Sequence, residues 1–231
     1  MESEEPNKGD RRNMKKQVAR VVAGVVVVLS LVANAVMAEE AGAGKPQKKF
    51  KGPVKVFILA GQSNMEGLGG KWSLDSLGEH PTHGYLLKKI RKDDGSFVVR
   101  DDVFVSYQRG AEKIKRPLTL GMGGWGPDWF GPELMFGIRM GDYYEEEPVL
   151  LIKTCWGGHS LFWNFRPPSA GKPAYETAEK PEDMGASYHK MVKEVRECLA
   201  NLDTDFPQLK GLKTNTVQRR MTTESRNGRV G

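Results

Sequence analysis

The chain has 231 residues and a formal net charge of +6, and 39% of its residues are hydrophobic, which is enough for a domain with its own core. The charge lies at the ends: residues 1–38 carry +2 and residues 213–231 carry +4, so residues 39–212 sum to zero. This distribution excludes a nucleic-acid-binding body. Cys155 and Cys198 are too few for a disulfide scaffold, although an exported protein has the option of pairing them. No Cys/His spacing predicts a metal site.

Residues 1–38 have the layout of a secretory signal, with translation expected to start at Met14. A basic segment precedes an apolar run from Val21 to Val32, and the small residues before Ala38 suit cleavage. A membrane anchor is the alternative, because the run is near the lower length limit for a span. We expect cleavage after Ala38, no stable membrane span afterwards, and a secreted or periplasmic protein. Residues 39–53 are predicted to form a polar, disordered linker.

The central stretch of the chain runs from Val54 to Gly67 and reads VKVFILAGQSNMEG. Its apolar, β-branched first half predicts a buried strand that ends at the turn residue Gly61. Ser63 follows the turn, between the amides Gln62 and Asn64. Open α/β sheets place reacting groups at the carboxyl ends of their strands. We therefore predict that Ser63 is the nucleophile of an esterase; the alternative role is a helix N-cap.

The middle of the chain predicts a short hairpin or an edge strand from Phe97–Val99 and Val103–Val105. Residues 121–132 (GMGGWGPDWFGP) form a loop whose aromatic side chains either line a substrate pocket or pack the loop onto the body. Pro132 opens a predicted helix that ends near Tyr144. Val149–Ile152 is a second buried strand, and a helix between two such strands predicts a βαβ unit.

The last third of the chain begins with Gly157 and Gly158, which follow the second strand and are able to bring bare backbone N–H groups close to a carbonyl oxygen. An ordinary turn is the alternative reading of the pair. An amphipathic helix is predicted from Met184 to Leu202. Residues 209–212 are expected to lead into a further strand, but residues 213–231 lack apolar periodicity and predict a disordered basic tail.

The residues present exclude two other motifs, the G-x-S-x-G nucleophile elbow and the phosphate-binding P-loop. Met65 replaces the last glycine of the G-x-S-x-G elbow, and no Gly-Lys-Ser/Thr follows the first strand. The stretch VFILAGQSNMEG instead resembles the first block of the sialate O-acetylesterase-like carbohydrate esterases, a branch of the SGNH hydrolases. Gly131-Pro-Glu-Leu and LIKTCWGGHSL (residues 151–161) resemble the next two blocks, so the likeness covers residues 54–212.

This resemblance implies an α/β fold, with a flavodoxin-like parallel sheet flanked by helices. It also implies hydrolysis of acetyl esters on carbohydrates, with no metal or organic cofactor. Ser63 is then both the nucleophile and an oxyanion donor, and Gly158 (or its neighbour Gly157) is the second donor, with Gln62 and Asn64 beside them. Cys155 is a mild departure from the family, which often has a small residue there.

Two later family blocks are not found in the chain. None of the five tryptophans is followed by Gln two residues on, as in Trp-x-Gln-Gly, and none of the four histidines has Asp three residues before it, as in Asp-x-x-His. The pattern stops near Leu212, so we expect the sheet to be incomplete at its C-terminal side. His159, at the same strand end as Gly158, is the best surrogate base; a surface or packing role is the alternative.

Three functions remain open from the sequence. The first is an exported acetylesterase with weak or no activity, because the base of the triad is missing. The second is a non-catalytic or partner-requiring carbohydrate-binding module with sugar platforms at Trp125, Trp129, Trp156 and Trp163. The third is a fragment that does not fold stably, because lost strands expose an edge and a core face.

Overall fold

The computed structural model describes residues 48–174 and 180–214. The predicted signal region, most of the predicted linker and residues 215–231 of the predicted tail lie outside the described residues. Within the described residues, none of the helices combines the length and the apolar character that crossing a membrane requires.

The first half of the described chain contains short helices and the first strands. The strands and α-helices there are, in order, β1 (Lys55–Gly61), α1 (Ser63–Glu66), β2 (Gly69–Gly70), α2 (Leu74–Gly78), β3 (Val103–Arg109) and β4 (Glu112–Pro117). Two 3-10 helices lie between them, at Lys71–Ser73 and Gly84–Lys89.

The second half contains the two longer helices. Its elements are, in order, β5 (Trp129–Phe130), α3 (Pro132–Tyr143), β6 (Val149–Cys155), α4 (Ala186–Ala200) and α5 (Leu202–Asp205). Three further 3-10 turns are at Pro168–Ala170, Pro181–Asp183 and Pro207–Leu209. The predicted helix after Pro132 and the predicted strand at Val149 are both confirmed.

The main sheet has the strand order β1-β6-β3-β4. Both β1 and β3 run parallel to β6, while β4 pairs antiparallel with β3. A second, two-stranded ribbon joins β2 and β5. The parallel strands flanked by helices agree with the α/β fold that the sequence predicts.

Each face of the main sheet packs against a separate hydrophobic cluster. Leu134 and Ile138 of α3 pack against one face with Leu151, while Val195 and Leu199 of α4 pack on the other. Cys155 and Cys198 belong to different clusters, and both are free thiols buried in the protein. The structure thus offers no pairing between them.

Two expectations about individual strands are wrong. Val103–Arg109 is an interior strand and not an edge, because β6 and β4 flank it, and its hairpin partner is Glu112–Pro117. Phe97 forms only an isolated bridge with Arg91. The first strand is also less buried than predicted: within Lys55–Gly61 only Leu59 is buried, because β1 is the outermost of the strands that the structure describes.

The outer side of β1 is paired at one point within the described residues. Val54 forms a parallel bridge with Thr214, and its N–H donates to Lys213 O at 2.8 Å. The end of the predicted linker is packed as well, since Lys51 N–H donates to Glu146 O at 2.9 Å and Phe50 contacts the ring of Phe104. The packed body therefore begins before Val54.

Candidate functional site

Ser63 is the first residue of the one-turn helix α1. The helical hydrogen bonds begin after it: the N–H groups of Met65 and Glu66 both donate to Gln62 O at 2.8 Å. Gln62 is the N-cap and makes no side-chain cap hydrogen bond, so the alternative N-cap role for Ser63 is wrong. The N–H groups at the start of a helix have no partner within it, and those of Ser63 and Asn64 are the first two of this helix.

The ends of β1 and β6 bring the two predicted donor turns to one edge of the sheet. Gly61 pairs with Cys155, and Trp156 N–H donates to Gly61 O at 3.2 Å. A Cβ added at Gly157 lies 3.0 Å from Glu66 Oε2, on the same helix as Ser63. The serine turn and the glycine turn are therefore in contact through Glu66.

Gly158 has a backbone conformation that favours glycine. Its φ is +77°, in the left-handed region, where a side chain costs about 1–2 kcal/mol. Gly157 and Gly158 are both exposed, and no atom lies within 4 Å of a Cβ built at Gly158. A ligand that approaches this turn meets bare backbone.

His159 is held by a neighbour other than Ser63. Its Nδ1 lies 2.6 Å from the hydroxyl of Ser187, a buried residue of α4, and its ring lies beside Trp156 with centroids 6.2 Å apart. Within residues 48–174 and 180–214, no hydrogen bond joins the His159 ring to Ser63. His80 and His83 stack on each other after α2, with centroids 4.9 Å apart.

A buried lysine behind the site is the feature that the sequence reading missed. Lys153 Nζ donates to Glu66 O and Met122 O at 2.8 Å each and to Glu133 Oε2 at 2.7 Å. Its side chain is 0% exposed and that of Glu133 is 1% exposed. The ammonium also lies 4.6 Å from the centroid of the Tyr107 ring. Three acceptors satisfy the three N–H bonds of the ammonium.

The three sequence blocks meet at this ion pair. Lys153 comes from the third block and Glu133 from the second, while Glu66 closes the helix that Ser63 opens. Gly131 N–H donates to the other oxygen of Glu133 at 2.8 Å. The signal in the sequence was a lone lysine within an apolar strand (VLLIKTC), since a buried lysine requires a partner.

The four tryptophans predicted as sugar platforms differ in exposure. Trp163 is 7% exposed and donates its indole N–H to Lys180 O, so it belongs to the interior. Trp156 is half-buried, with Lys190 Nζ 4.6 Å from its ring centroid. Trp125, in contrast, is 67% exposed.

Comparison with known proteins gives one informative match. The sequence model of a protein family described as carbohydrate esterase, sialic acid-specific acetylesterase, matches residues 53–212. Among solved structures, the chain is similar to a protein from Arabidopsis thaliana, with 16% sequence identity and a TM-score of 0.34, over 63% of this chain and 51% of that one. The chain thus spans about half the length of that protein, and such a TM-score establishes no common fold. No curated protein sequence matches the chain.

Proposed function

We propose a function from one premise: the chain belongs to the sialic acid-specific acetylesterase family of carbohydrate esterases. The function is removal of acetyl groups from a carbohydrate by a serine nucleophile, Ser63. The observation that supports it best is the pairing of Gly61 with Cys155, which sets the serine turn beside the glycine turn. Acyl transfer requires a nucleophile and oxyanion donors within reach of one carbonyl group.

In the proposed reaction, Ser63 Oγ attacks the carbonyl carbon of the acetyl ester. The N–H groups of Ser63 and Gly158, or alternatively Gly157, donate to the oxyanion, while Gln62 and Asn64 border the bound ester. Water accepts the proton of the Ser63 hydroxyl. The bond from the carbonyl carbon to the sugar oxygen then breaks, and that oxygen takes up a proton from water. Water cleaves the resulting acetyl-serine and releases acetate.

The proposed turnover is slow, because no histidine activates the hydroxyl. All four histidines of the chain lie within the described residues, and none of them makes a hydrogen bond to Ser63. A serine hydroxyl without a base is a poor nucleophile. We expect rates on the order of 10⁶-fold below those of a complete serine triad.

Hydrolysis of p-nitrophenyl acetate, with mass spectrometry of the protein, tests both parts of this proposal. We expect slow release of p-nitrophenol, an acetyl group on Ser63, and loss of both in Ser63→Ala but not in Ser76→Ala, which changes an exposed serine of α2. Added imidazole supplies a base in solution. It is expected to accelerate the Ser63-dependent reaction of the unsubstituted protein and to have no such effect on Ser63→Ala. If Ser63→Ala leaves the rate unchanged, Ser63 is not the nucleophile. If the rate is typical of a complete triad and does not depend on imidazole, the claim that Ser63 has no base is refuted.

We also propose that the protein is exported. This proposal rests on the signal-like residues 1–38, which lie outside the described residues. Expression in a bacterial host with fractionation and N-terminal sequencing tests it, and a mature protein that begins at Glu39 outside the cytoplasm is expected. A protein that keeps residues 14–38 and stays in the cytoplasm or the membrane contradicts it.

A further inference from the structure

Three indole rings form an exposed cluster on the surface of the protein. Trp129 is central: its ring centroid lies 5.1 Å from that of Trp72 and 5.1 Å from that of Trp125, with interplanar angles of 81° and 68°. The two outer rings are 59% and 67% exposed. Large aromatic side chains left in water forgo the free energy that burial provides, and a contiguous exposed apolar cluster marks a binding surface.

The fold holds these rings in a fixed arrangement. Trp129 pairs with Gly70 across the β2–β5 ribbon, and a Cβ added at Gly70 would lie 2.2 Å from the ring of Trp72. Only glycine therefore admits the Trp72 indole at this position. Lys71 and Asp128 close the ribbon with an ion pair of 2.8 Å. A preorganised surface loses little side-chain entropy when a ligand binds.

The cluster adjoins the helix that carries Ser63. Gly124, next to Trp125, donates its N–H to Gly67 O at 3.0 Å, and a Cβ added at Gly124 would lie 3.0 Å from Glu66 Cβ. Gly67 caps α1, and β2 begins two residues later. One turn of helix therefore separates the nucleophile from the loop that carries Trp125.

We propose that Trp72, Trp125 and Trp129 bind a sugar residue of the substrate next to the one that bears the acetyl ester. This inference rests on the proposed function of Ser63 and adds a subsite for an oligosaccharide. A pyranose ring has apolar C–H faces and a rim of hydroxyl groups. The C–H faces match the exposed indole faces, and Lys71 and Asp128 at the rim of the cluster provide a donor and an acceptor for hydroxyl groups.

The geometry favours a sugar over a flat protein partner. The two edge-to-face contacts incline the outer rings steeply to the Trp129 ring, which gives a corner instead of a plane. A corner contacts a small ring on two sides. The paired charges of Lys71 and Asp128 leave the rim polar without a net charge, as suits a neutral ligand.

Binding is measured by calorimetry in the Ser63→Ala background, so that the ester stays intact. The probes are partially acetylated tetrasaccharides of xylose, glucose and mannose, and O-acetylated sialyllactose. We expect at least one probe to bind, with affinity about tenfold weaker in Trp125→Ala and in Trp72→Ala and restored by Trp125→Tyr. Tyr143→Ala is the matched control, since Tyr143 is an aromatic residue 70% exposed at the other end of α3, and it is expected to change nothing.

The outcomes separate this inference from the proposed function. Unchanged affinity in Trp125→Ala, or no binding of any of the four probes, overturns the sugar subsite whatever the esterase assay shows. Self-association that Trp125→Ala abolishes, without sugar binding, assigns the cluster to a second copy of the chain and also overturns it. A failed p-nitrophenyl acetate assay with intact, Trp125-dependent binding refutes only the role of Ser63. If Trp72→Ala lowers the melting temperature, the more exposed Trp125 decides the test.

Discussion

Lys153 and Glu133 form an ion pair of 2.7 Å in which neither side chain is exposed to solvent. Removing one partner leaves an unpaired buried charge, which costs about 3–5 kcal/mol. We therefore expect Lys153→Met to lower the free energy of unfolding by this amount in urea titrations. The double variant Lys153→Met/Glu133→Leu removes both charges and is expected to be more stable than the single one. A double variant as unstable as the sum of its two single variants contradicts this coupling.

Gly67 ends the helix that carries Ser63, and Gly95 lies in a separate turn. Comparing alanine substitutions at the two positions shows whether steric contact adds to the cost of the backbone conformation at Gly67. Their φ angles are +80° and +83°, so alanine is strained at both positions. A Cβ at Gly67 would lie 2.1 Å from Gly131 Cα, whereas nothing lies within 4 Å of one at Gly95. We expect Gly95→Ala to cost about 1–2 kcal/mol of unfolding free energy and Gly67→Ala to cost clearly more. Equal losses in thermal melts refute the steric contact.

The carboxylate of Asp102 links stability to acid pH. Burial raises its pKa, but hydrogen bonds of 2.8 and 2.7 Å and the charge of Arg100 outweigh burial and hold the pKa below its ordinary value of 3.8. A lowered folded-state pKa gives stability that is present above 3.8 and lost as pH falls through the folded-state pKa. We expect the free energy of unfolding to fall steeply with pH below about 4 and to fall less steeply in Asp102→Asn. The exposed Asp101→Asn is the control, and an identical slope in Asp102→Asn contradicts the prediction.

Both thiols are expected to resist alkylation in the native protein. Burial raises the pKa of Cys155 to about 11 and also raises that of Cys198. At pH 8 the thiolate fraction of Cys155 is then about 0.1%. Iodoacetamide with mass spectrometry is expected to label neither cysteine in the folded state and both in urea. Labelling of the native protein, or a mass that fits a disulfide, contradicts the two buried free thiols.

Short sequence motifs and the pattern of apolar residues were enough to predict much of the fold. The family match over residues 53–212 confirms the resemblance that the three blocks indicate. The strand at Val149 and the helix after Pro132 were predicted because apolar runs and a proline at the first turn are local signals. The Ser63 and Gly158 roles remain predictions.

The rest depends on contacts that local patterns do not encode. β4 (EKIKRP) has one buried residue, Ile114, so its strand character comes from pairing with β3. Glu133 stands at the start of the predicted helix, but the lysine that pairs with it, Lys153, is 20 residues away along the chain. Trp72 meets Trp129 only in the folded protein, where the ribbon pairs Gly70 with Trp129.

The position of β1 at the margin of the sheet gives the serine strand two unlike sides. Lys55 N–H donates to Pro148 O, towards β6, while Val54 N–H points the other way. Successive amides of a strand alternate in direction. The N–H groups of Phe57 and Leu59 therefore point towards β6, and those of Val56 and Ile58 point outward. Deuterium uptake along β1 is therefore expected to alternate residue by residue, fast at the outward amides and slow at the paired ones. Uniform protection would instead reveal that another strand covers the outward side in solution.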